Sequence, residues 1–263
     1  YIPLRFVAEA LEMKVVWEGK SRSVFLCSID KYESMKELLQ KYDDAMLKAE
    51  KYKQRVYSKT TFKSSGESKD FIADVEIQID KSKKRRHLKG IYDIFGIRLE
   101  GEEYLSGDKL YTLNPLSGKW EKEILEQREY DELFTEKSNE MVVISDDVLC
   151  AGLNQVPSEK PDEILLKGDA CLTDLLMRVF ELEVPSLPIR QMKIKAFNVE
   201  MSLNADTFLP NFIIMNANAE IPADEGITNC NMHFRLEYDF NEELTIEVPE
   251  DIVESAVETE KTS

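Results

Sequence analysis

The chain has 263 residues, 43% of them hydrophobic, which is enough for one large domain or for one domain with a small appendage. Its formal net charge of −17 opposes binding to nucleic acid, because the phosphate backbone would be repelled. No run of about 18 apolar residues is present, so the sequence predicts no membrane-spanning helix.

The start of the chain predicts a short helix followed by a strand pair. Apolar residues are spaced as in a helix from Leu4 to Leu11, and Pro3 is tolerated in a first helical turn. Alternate residues are then apolar from Val15 to Leu26, and Gly19 marks a turn between two strands. These residues form a compact unit whose boundary is expected between Ser28 and Tyr32.

The same residues carry a family resemblance. Proline–leucine–arginine, glutamate–alanine–leucine and valine–x–tryptophan follow each other in that order between Ile2 and Leu26. The string resembles the last half of the copper amine oxidase N-terminal-like domain, a small module of secreted bacterial proteins. The resemblance implies residues 1–29 as a partial module without a copper site. Its upstream strands are absent and the chain opens on Tyr1, so we expect that the natural N-terminus lies further upstream.

A long helix is predicted over residues 30–53. Asp30 is a plausible cap, and the apolar residues then follow a three-to-four spacing. They are Met35, Leu38, Leu39, Tyr42, Ala45, Met46, Ala49 and Tyr52. Such a stripe is typical of a helix that lies on a hydrophobic core.

Most of the remaining chain alternates with the period of strands. The apolar residues Val75, Ile77 and Ile79 alternate with polar ones, which indicates a sheet with one wet and one dry face. Strands are predicted at residues 56–62, 71–80, 85–97, 162–167, 192–203, 212–219, 231–240 and 244–249, and a phase slip at Ala196–Phe197 predicts a bulge. Helices are predicted at residues 126–139 and 145–153 and from Gly168 onward, and the tail beyond Glu250 is expected to be frayed.

This arrangement is similar to a second family. The helix reading Leu-Leu-Gln-Lys-Tyr-Asp-Asp-Ala-Met, the long strands after it, and the turn segments Glu103–Tyr111 and Ser117–Trp120 resemble the LolA/LppX-like half-barrel lipoproteins of Gram-positive bacteria. The resemblance extends over about residues 31–257. It implies an α+β fold with a large curved antiparallel sheet, helices that cover its concave face, and the N-terminal unit as a small α/β appendage.

The resemblance also implies a domain division and a location. Residues 1–29 form the partial module, residues 30–53 a helix leading into the main domain, residues 54–257 the LolA-like half-barrel, and residues 258–263 a disordered tail. The protein is expected to be extracytoplasmic, either secreted or attached to the bacterial cell envelope.

A curled sheet can enclose a hydrophobic molecule. The adaptable side chains predicted to line such a space are Met192, Phe197, Met201, Phe212 and Met215. The alternative is that these side chains interdigitate with helices and leave no cavity. A dense basic run from Lys81 to Lys89 contains Lys83, Lys84, Arg85 and Arg86, which are predicted to contact anionic lipid heads or wall polymers, or else to form a solvated hairpin.

No residue pattern indicates catalysis. His87 and His233 lie on separate predicted strands, and the sequence contains no Walker loop, GxGxxG, HExxH or EF-hand loop. We therefore predict no enzyme activity, no cofactor and no metal site. The four cysteines, Cys27, Cys150, Cys171 and Cys230, include no CxxC pair and either form disulfides in one of three pairings or stay reduced.

Two functional hypotheses follow. The first is a non-catalytic extracytoplasmic protein that binds or carries a hydrophobic or lipid-like ligand in a half-barrel cavity. The second is a cell-surface stalk or protein-interaction module with a solid core, a cell-wall or envelope partner and no small ligand. Co-purified lipid is expected under the first hypothesis alone.

Overall fold

The computed structural model describes residues 4–19, 23–64, 66–127, 146–169, 192–223, 226–241 and 243–259. These ranges contain four helices, α1 (Leu4–Ala10), α2 (Ile29–Lys48), α3 (Asp147–Gly152) and α4 (Glu250–Ser255). They also contain the strands β1 (Met13–Glu18), β2 (Ser23–Ser28), β3 (Lys51–Ser64), β4 (Glu67–Asp80), β5 (Arg85–Ile94), β6 (Ile97–Ser106), β7 (Lys109–Leu113), β8 (Trp120–Ile124), β9 (Leu153–Val156), β10 (Glu163–Gly168), β11 (Lys193–Asn204), β12 (Pro210–Ala223), β13 (Gly226–Asp239) and β14 (Val257–Glu258).

The described strands form two sheets. β1 and β2 pair only with each other, and the other twelve strands belong to one sheet. The pairs β4–β5, β5–β6, β6–β7, β7–β8, β9–β10, β10–β11 and β11–β12 are antiparallel. The predicted large antiparallel sheet is confirmed, while the half-barrel curvature and the helical cover of its concave face stay predictions. A short parallel pair of β14 with β8 is an addition that the sequence did not predict.

Contacts within the chain divide it into two compact units. Unit 1 comprises Tyr1–Met46, Thr60–Lys69 and Met141–Phe234, and unit 2 comprises Leu47–Lys59, Asp70–Glu140 and Arg235–Ser263. The long strands β3, β4 and β13 therefore contribute residues to each unit. The domain boundaries expected from the family resemblances stay predictions.

Unit 1 begins as the sequence predicts, with a helix and a strand pair. β1 and β2 pair from Met13 opposite Ser28 to Glu18 opposite Ser23. α2 begins at Ile29 with no intervening residue. The Ser28 hydroxyl accepts a hydrogen bond from the Lys31 backbone N–H at 3.3 Å, so Ser28 caps the helix and Asp30 does not.

The end of α2 differs from the prediction. The helix ends at Lys48, and Tyr52, which was assigned to its apolar stripe, lies in β3. Tyr52 and Gln54 are buried while their neighbours Lys51 and Lys53 are not, which is the alternation of a strand. The helix is predicted too long because Tyr52 follows Ala49 by three residues, a spacing that also fits a helix.

The predicted bulge and two predicted elements of unit 1 are confirmed. The pairing of β11 with β12 shifts register between Ile194 and Ala196, next to the predicted phase slip. α3 falls within the helix predicted at residues 145–153, and β10 overlaps the strand predicted at 162–167. Most of the helix predicted at 126–139 and nearly all of the helix predicted after Gly168 lie outside the described residues.

In unit 2, the strand predicted at residues 85–97 is divided between two strands, β5 and β6. β5 ends at Ile94, and the turn Phe95–Gly96 leads into β6, so that Ile94 pairs with Ile97. Both turn residues have positive φ, 57° at Phe95 and 92° at Gly96, as the tightest hairpin connections require. The sequence missed this turn because a phenylalanine is unusual in that conformation.

The C-terminal prediction is wrong in two respects. The described residues 244–249 form no strand, and residues 250–258 form α4 and β14 instead of being frayed. Ile252 of α4 is buried in a cluster with Tyr104 and Tyr111, which holds the segment in place. The apolar residues of this segment therefore pack in and next to helix α4, and they do not form a strand.

Candidate functional site

The predicted lining residues lie in or next to β11 and β12 of unit 1. Phe197 and Met201 of β11 and Met215 of β12 are 1–6% exposed. They share one face, because Phe197 pairs with Ala217 and Val199 with Met215. Three of the five predicted residues are therefore brought together.

The other two predicted residues are placed differently. Phe212 pairs with Ser202 and lies on the opposite face of β12 from Met215, because successive side chains of a strand alternate. Met192 precedes β11 and is half-buried. The prediction grouped them because they are apolar, without following the parity of β12.

The buried face is larger than the prediction. The Asn216 side-chain oxygen of β12 lies 2.7 Å from the His233 Nδ1 of β13, so these residues mark the outer face of both strands. Within residues 197–203, 213–221 and 230–234, the inner positions of β11, β12 and β13 are apolar and at most 6% exposed. These residues, which we call the apolar face, are Phe197, Val199, Met201, Leu203, Ile213, Met215, Ala217, Ala219, Ile221, Cys230, Met232 and Phe234.

Sequence reasoning missed the contribution of β13 to this face. Cys230, Met232 and Phe234 alternate with the polar residues Asn231 and His233, and this pattern is readable in the sequence. The lining predicted from the sequence ends at Met215 and therefore stops short of β13.

Helix α2 of the same unit carries a matching apolar stripe. Its buried apolar residues, at 0–5% exposure, are Tyr32, Met35, Leu39, Tyr42 and Met46. This spacing of three to four residues places them on one side of the helix. The stripe predicted from the sequence is confirmed up to Met46.

Side-chain contacts link α2 to its neighbours at two places. At its N-terminus the Tyr32 hydroxyl donates to Asp147 Oδ1 at 2.5 Å, and Lys31 Nζ donates to the Ala151 carbonyl at 2.6 Å. Further along, the Lys41 ammonium lies 5.4 Å from the ring centroid of Phe208 in the β11–β12 turn. The helix is thus tied to α3 and to the turn of the strands that form the apolar face.

Two of the cavities that border the described residues are open to solvent. One of about 670 Å³ lies along the polar side of α2, next to Glu33 and Lys36. The other, of about 400 Å³, lies beside the β3–β4 turn next to Lys63 and Asn229. Neither cavity borders Phe197, Met201 or Met215.

The basic run lies in the β4–β5 turn and at the start of β5. Arg85 Nη1 donates to the Ile246 carbonyl at 2.9 Å, and Arg86 forms an ion pair with Glu103. Lys83 and Lys84 are exposed in the turn. Two of the four residues predicted to contact an anionic surface are thus engaged within unit 2, and the contact stays a prediction.

Asp80 anchors this turn, a role that the sequence did not indicate. Its side chain is 3% exposed, with Oδ2 3.2 Å from Lys51 Nζ. The Ser82 hydroxyl and the Lys83 backbone N–H donate to Oδ1 at 2.6 and 3.0 Å. Burial alone would raise the pKa of Asp80, but these donors and the Lys51 ammonium outweigh it and hold the pKa below its usual 3.8.

We expect Asp80→Asn to lower the free energy of unfolding at pH 7 by about 1–3 kcal/mol, because a charged acceptor of buried hydrogen bonds is lost. The lowered pKa stabilises the wild type fully above the unfolded-state value near 3.8, and this stabilisation is lost as the pH falls through the folded-state value. Urea titrations from pH 7 to pH 2 should therefore show a shallower decline in the variant. Asp44→Asn, at an exposed position of α2, is the control, and an unchanged slope in Asp80→Asn would contradict the assignment.

His87 belongs to a hydrogen-bonded cluster in unit 2. Its Nε2 lies 3.0 Å from Glu102 Oε1, to which the Tyr104 hydroxyl donates at 3.0 Å, and Lys89 Nζ donates to Glu102 Oε2 at 3.1 Å. The imidazole is stacked on Tyr104 with ring centroids 4.1 Å apart. Burial would raise the pKa of Glu102, but the donors around it lower the pKa further than burial raises it.

This cluster is well suited to hold strands together. Because Glu102 accepts from three side chains on β5 and β6, the cluster links two neighbouring strands across one face. His87 and His233 both lie on strands, as the sequence predicts. In the part of the chain that the structure describes, no group of three His, Cys, Asp or Glu side chains is arranged to hold a metal ion.

The cysteines that the structure describes are buried thiols. Cys27, Cys150 and Cys230 are free, and Cys171 lies outside the described residues. Burial raises the pKa of Cys150 and of Cys230 to about 11, so both thiols are held in the neutral form. None of the described helices has the length and apolarity needed to cross a membrane.

Comparisons with known proteins give one family match. Residues 183–257 match a model described as a family of unknown function (DUF6612). No curated protein matches the chain. The matched segment includes β11, β12 and β13, which carry the apolar face, and it ends at Val257.

The chain is also similar to several solved bacterial structures. One is described as an outer membrane lipoprotein-sorting protein domain from Vibrio parahaemolyticus, with 9% identity, 81% of this chain and 95% of that chain covered, and a TM-score of 0.26. Another is a LolA superfamily protein from Nitrosomonas europaea, with 12% identity, 83% and 96% coverage and a TM-score of 0.23. A third is a DUF1329 family protein from Desulfovibrio piger, with 8% identity, 80% and 91% coverage and a TM-score of 0.25.

Proposed function

We propose that this chain is a non-catalytic extracytoplasmic protein that binds or carries a hydrophobic, lipid-like molecule in a LolA-like half-barrel. The observation that supports the proposal is the apolar face, in which twelve buried apolar side chains lie on three adjacent strands. A hydrophobic ligand needs a continuous apolar wall and few polar groups.

The composition of the apolar face also suits a ligand of variable shape. Met201, Met215 and Met232 are unbranched and adapt to different neighbours, while Ala217 and Ala219 leave space above β12. The stripe of α2 contributes two further methionines, Met35 and Met46. In the proposed protein the ligand lies between the apolar face and α2, which acts as its cover.

A second candidate function is favoured by one observation. Phe197, Met201 and Met215 are at most 6% exposed to solvent. A core filled by its own side chains would have this property. The chain would then be a cell-surface stalk or interaction module, with the N-terminal unit facing an envelope partner.

Native mass spectrometry after mild release from the producing cells tests the first proposal. A lipid-sized adduct that disappears after extraction with organic solvent is the expected result. A fluorescent fatty-acid analogue titrated into the extracted protein should then bind with a 1:1 stoichiometry. If the protein carries no adduct and does not bind the probe, the ligand proposal is contradicted and the solid-core module remains as the candidate function.

Ala217→Leu distinguishes the ligand carrier from the solid-core module, because it adds a larger side chain to the apolar face. If the apolar face borders a ligand space, the added side chain fills it, and we expect probe affinity to fall about tenfold with unchanged or higher thermal stability. If the core is solid, overpacking should cost about 1–3 kcal/mol of unfolding free energy. Asn218→Leu places the same side chain at an exposed position of β12 and should change neither quantity.

A further inference from the structure

Ion pairs between β3 and β4 mark the outer face of β3. At distances of 2.8–2.9 Å they join Lys53 to Glu76, Arg55 to Asp74 and Lys59 to Asp70. Each step along β3 is matched by an equal step back along β4, so the alternation of side chains is unbroken between these pairs. The even-numbered positions of β3 therefore belong to its inner face, and Thr60 and Phe62 are buried there in unit 1.

The inner positions of β3 and β13 point to the same side of the sheet. β3 is the neighbour of β13 in the strand order of the large sheet. Gln54 Nε2 of β3 donates to the Tyr238 hydroxyl of β13 at 3.1 Å, whereas Arg235 and Glu237 form an ion pair on the other face of β13. Even-numbered residues thus share the inner face in both strands, and those of β13 include three members of the apolar face. Thr60 therefore lies on the strand next to the apolar face and points to the same side.

Thr60 places a fully buried hydroxyl on this side of the sheet. The residue is 0% exposed, and within the ranges that the structure describes its Oγ1 has no hydrogen-bond partner. Ser202 of unit 1 is equally buried, but its hydroxyl donates to Glu163 Oε1 at 2.5 Å and accepts from Asn211 Nδ2 at 3.0 Å. Most buried polar atoms in proteins are bonded as Ser202 is, so Thr60 is an exception.

Folding alone gains nothing from an unpartnered hydroxyl at Thr60. The hydroxyl loses its hydrogen bonds to water on burial, and this loss is offset only where a new partner is found. Valine has nearly the same shape without the polar atom, and it is equally suited to a β-strand. A threonine at this position is explained if the molecule that occupies the apolar face supplies the missing hydrogen bond.

The charges in the interior of unit 1 limit the kind of partner. Apart from tyrosines, the buried polar side chains among the described residues of this unit are Asp43, Thr60 and Ser202. Asp43 lies on the buried side of α2, next to Tyr42 of the stripe. The described part of unit 1 contains no buried Lys or Arg side chain that could pair with a carboxylate or a phosphate. An anionic head group would therefore be buried without a cation and in the same interior as an acid, whereas an uncharged oxygen needs only the hydroxyl.

We propose that the ligand is a neutral acyl lipid and that Thr60 is its polar contact. The Thr60 hydroxyl donates to an ester carbonyl oxygen or accepts from a lipid hydroxyl, while the acyl chain lies against the apolar face. The hydrogen bond formed on binding offsets the desolvation of Thr60, so a ligand with an uncharged oxygen at this place is favoured over one without it. The inference rests on the proposed function, and it adds the class of the ligand and the residue that orients it.

The test measures how monodecanoylglycerol displaces the fluorescent fatty-acid probe from the extracted full chain at pH 7. We expect Thr60→Val to raise the dissociation constant of monodecanoylglycerol about tenfold, because valine cannot form the hydrogen bond. The extracted variant should melt at the same temperature as the wild type or higher, since an unpartnered buried hydroxyl is removed. A hydroxyl with a purely structural role would give the opposite pair of results, a lower melting temperature with unchanged affinity.

Decanoate tests the charge of the head group, because it has the same acyl chain and an anionic carboxylate. We expect the wild type to bind decanoate at least about tenfold more weakly than monodecanoylglycerol, because the carboxylate would be buried without a cation. The fatty-acid probe itself binds through its chain and is therefore displaced readily by the neutral lipid.

Thr61→Val is the matched control, because it makes the same change at the next residue, on the outer face of β3, and should leave the affinity for monodecanoylglycerol unchanged. Thr60→Ser keeps the hydroxyl and should bind more tightly than Thr60→Val. If the wild type binds the probe but Thr60→Val binds monodecanoylglycerol equally well, or if the wild type prefers decanoate, the inference is overturned and the ligand proposal stands. A wild type that binds neither the probe nor the lipids would contradict both.

Discussion

Replacing Gly168 with alanine is expected to lower the free energy of unfolding by about 3 kcal/mol or more, which is at the upper end of overpacking effects. A Cβ at this position would lie 2.1 Å from the Gly152 carbonyl oxygen and 2.9 Å from Leu153 Cα. Both atoms belong to the backbone, so no side-chain rotation relieves the clash. Gly168 also pairs with Leu153 on one side and with Val199 on the other, so β10 is held between two strands.

Equilibrium denaturation with urea measures this effect. Gly19→Ala is the control, because the nearest atom to its added Cβ, Trp17 Nε1, would be at 3.6 Å, an ordinary contact distance. We expect that control to remain within about 1 kcal/mol of the wild type. If Gly168→Ala were as stable as Gly19→Ala, the close approach of β10 to the end of α3 would not exist.

The second large effect is expected for Leu39→Ala, with a loss of about 2–5 kcal/mol. Leu39 is fully buried in the middle of the α2 stripe, so its truncation removes buried apolar area and leaves a cavity. Leu47→Ala makes the same chemical change in the last turn of α2, where the side chain is 39% exposed. We expect the Leu47 variant to lose less than about 1 kcal/mol.

The pair of leucine variants tests how α2 is packed. Their difference in unfolding free energy, measured by thermal and urea denaturation, reports the packing at Leu39 with helix propensity cancelled, because both sites lie within the helix. Equal losses would show that the stripe faces no tightly packed core. In that event α2 would be a poor candidate for the cover of a ligand site.

Local patterns predicted much of this fold. The alternation in β11, the bulge near Ala196 and the apolar stripe of α2 each depend on residues close together in the chain, and the structure confirms them. Errors arose where two periods coincide, as at Tyr52, or where a residue takes an unusual backbone conformation, as at Phe95. In both cases the sequence pattern fits more than one local structure.

The candidate site was predicted only in part for a different reason. Phe197, Met201 and Met215 were found because alternation marks one face, whereas Phe212 was grouped with them although it has the opposite parity. The anchoring of the β4–β5 turn by Lys51 and Asp80 joins residues far apart in the chain, and nothing in a single sequence pairs them. Long-range partners of this kind become visible only in the folded chain.

The junction between β2 and α2 has a mechanical consequence. Because the strand becomes a helix without a linker residue, and the Ile29 N–H donates to the Glu12 carbonyl at 3.3 Å, no hinge separates the N-terminal hairpin from the helix. A force applied to the hairpin is therefore transmitted directly to the first turn of α2. A flexible tether would absorb the same motion before it reached the helix.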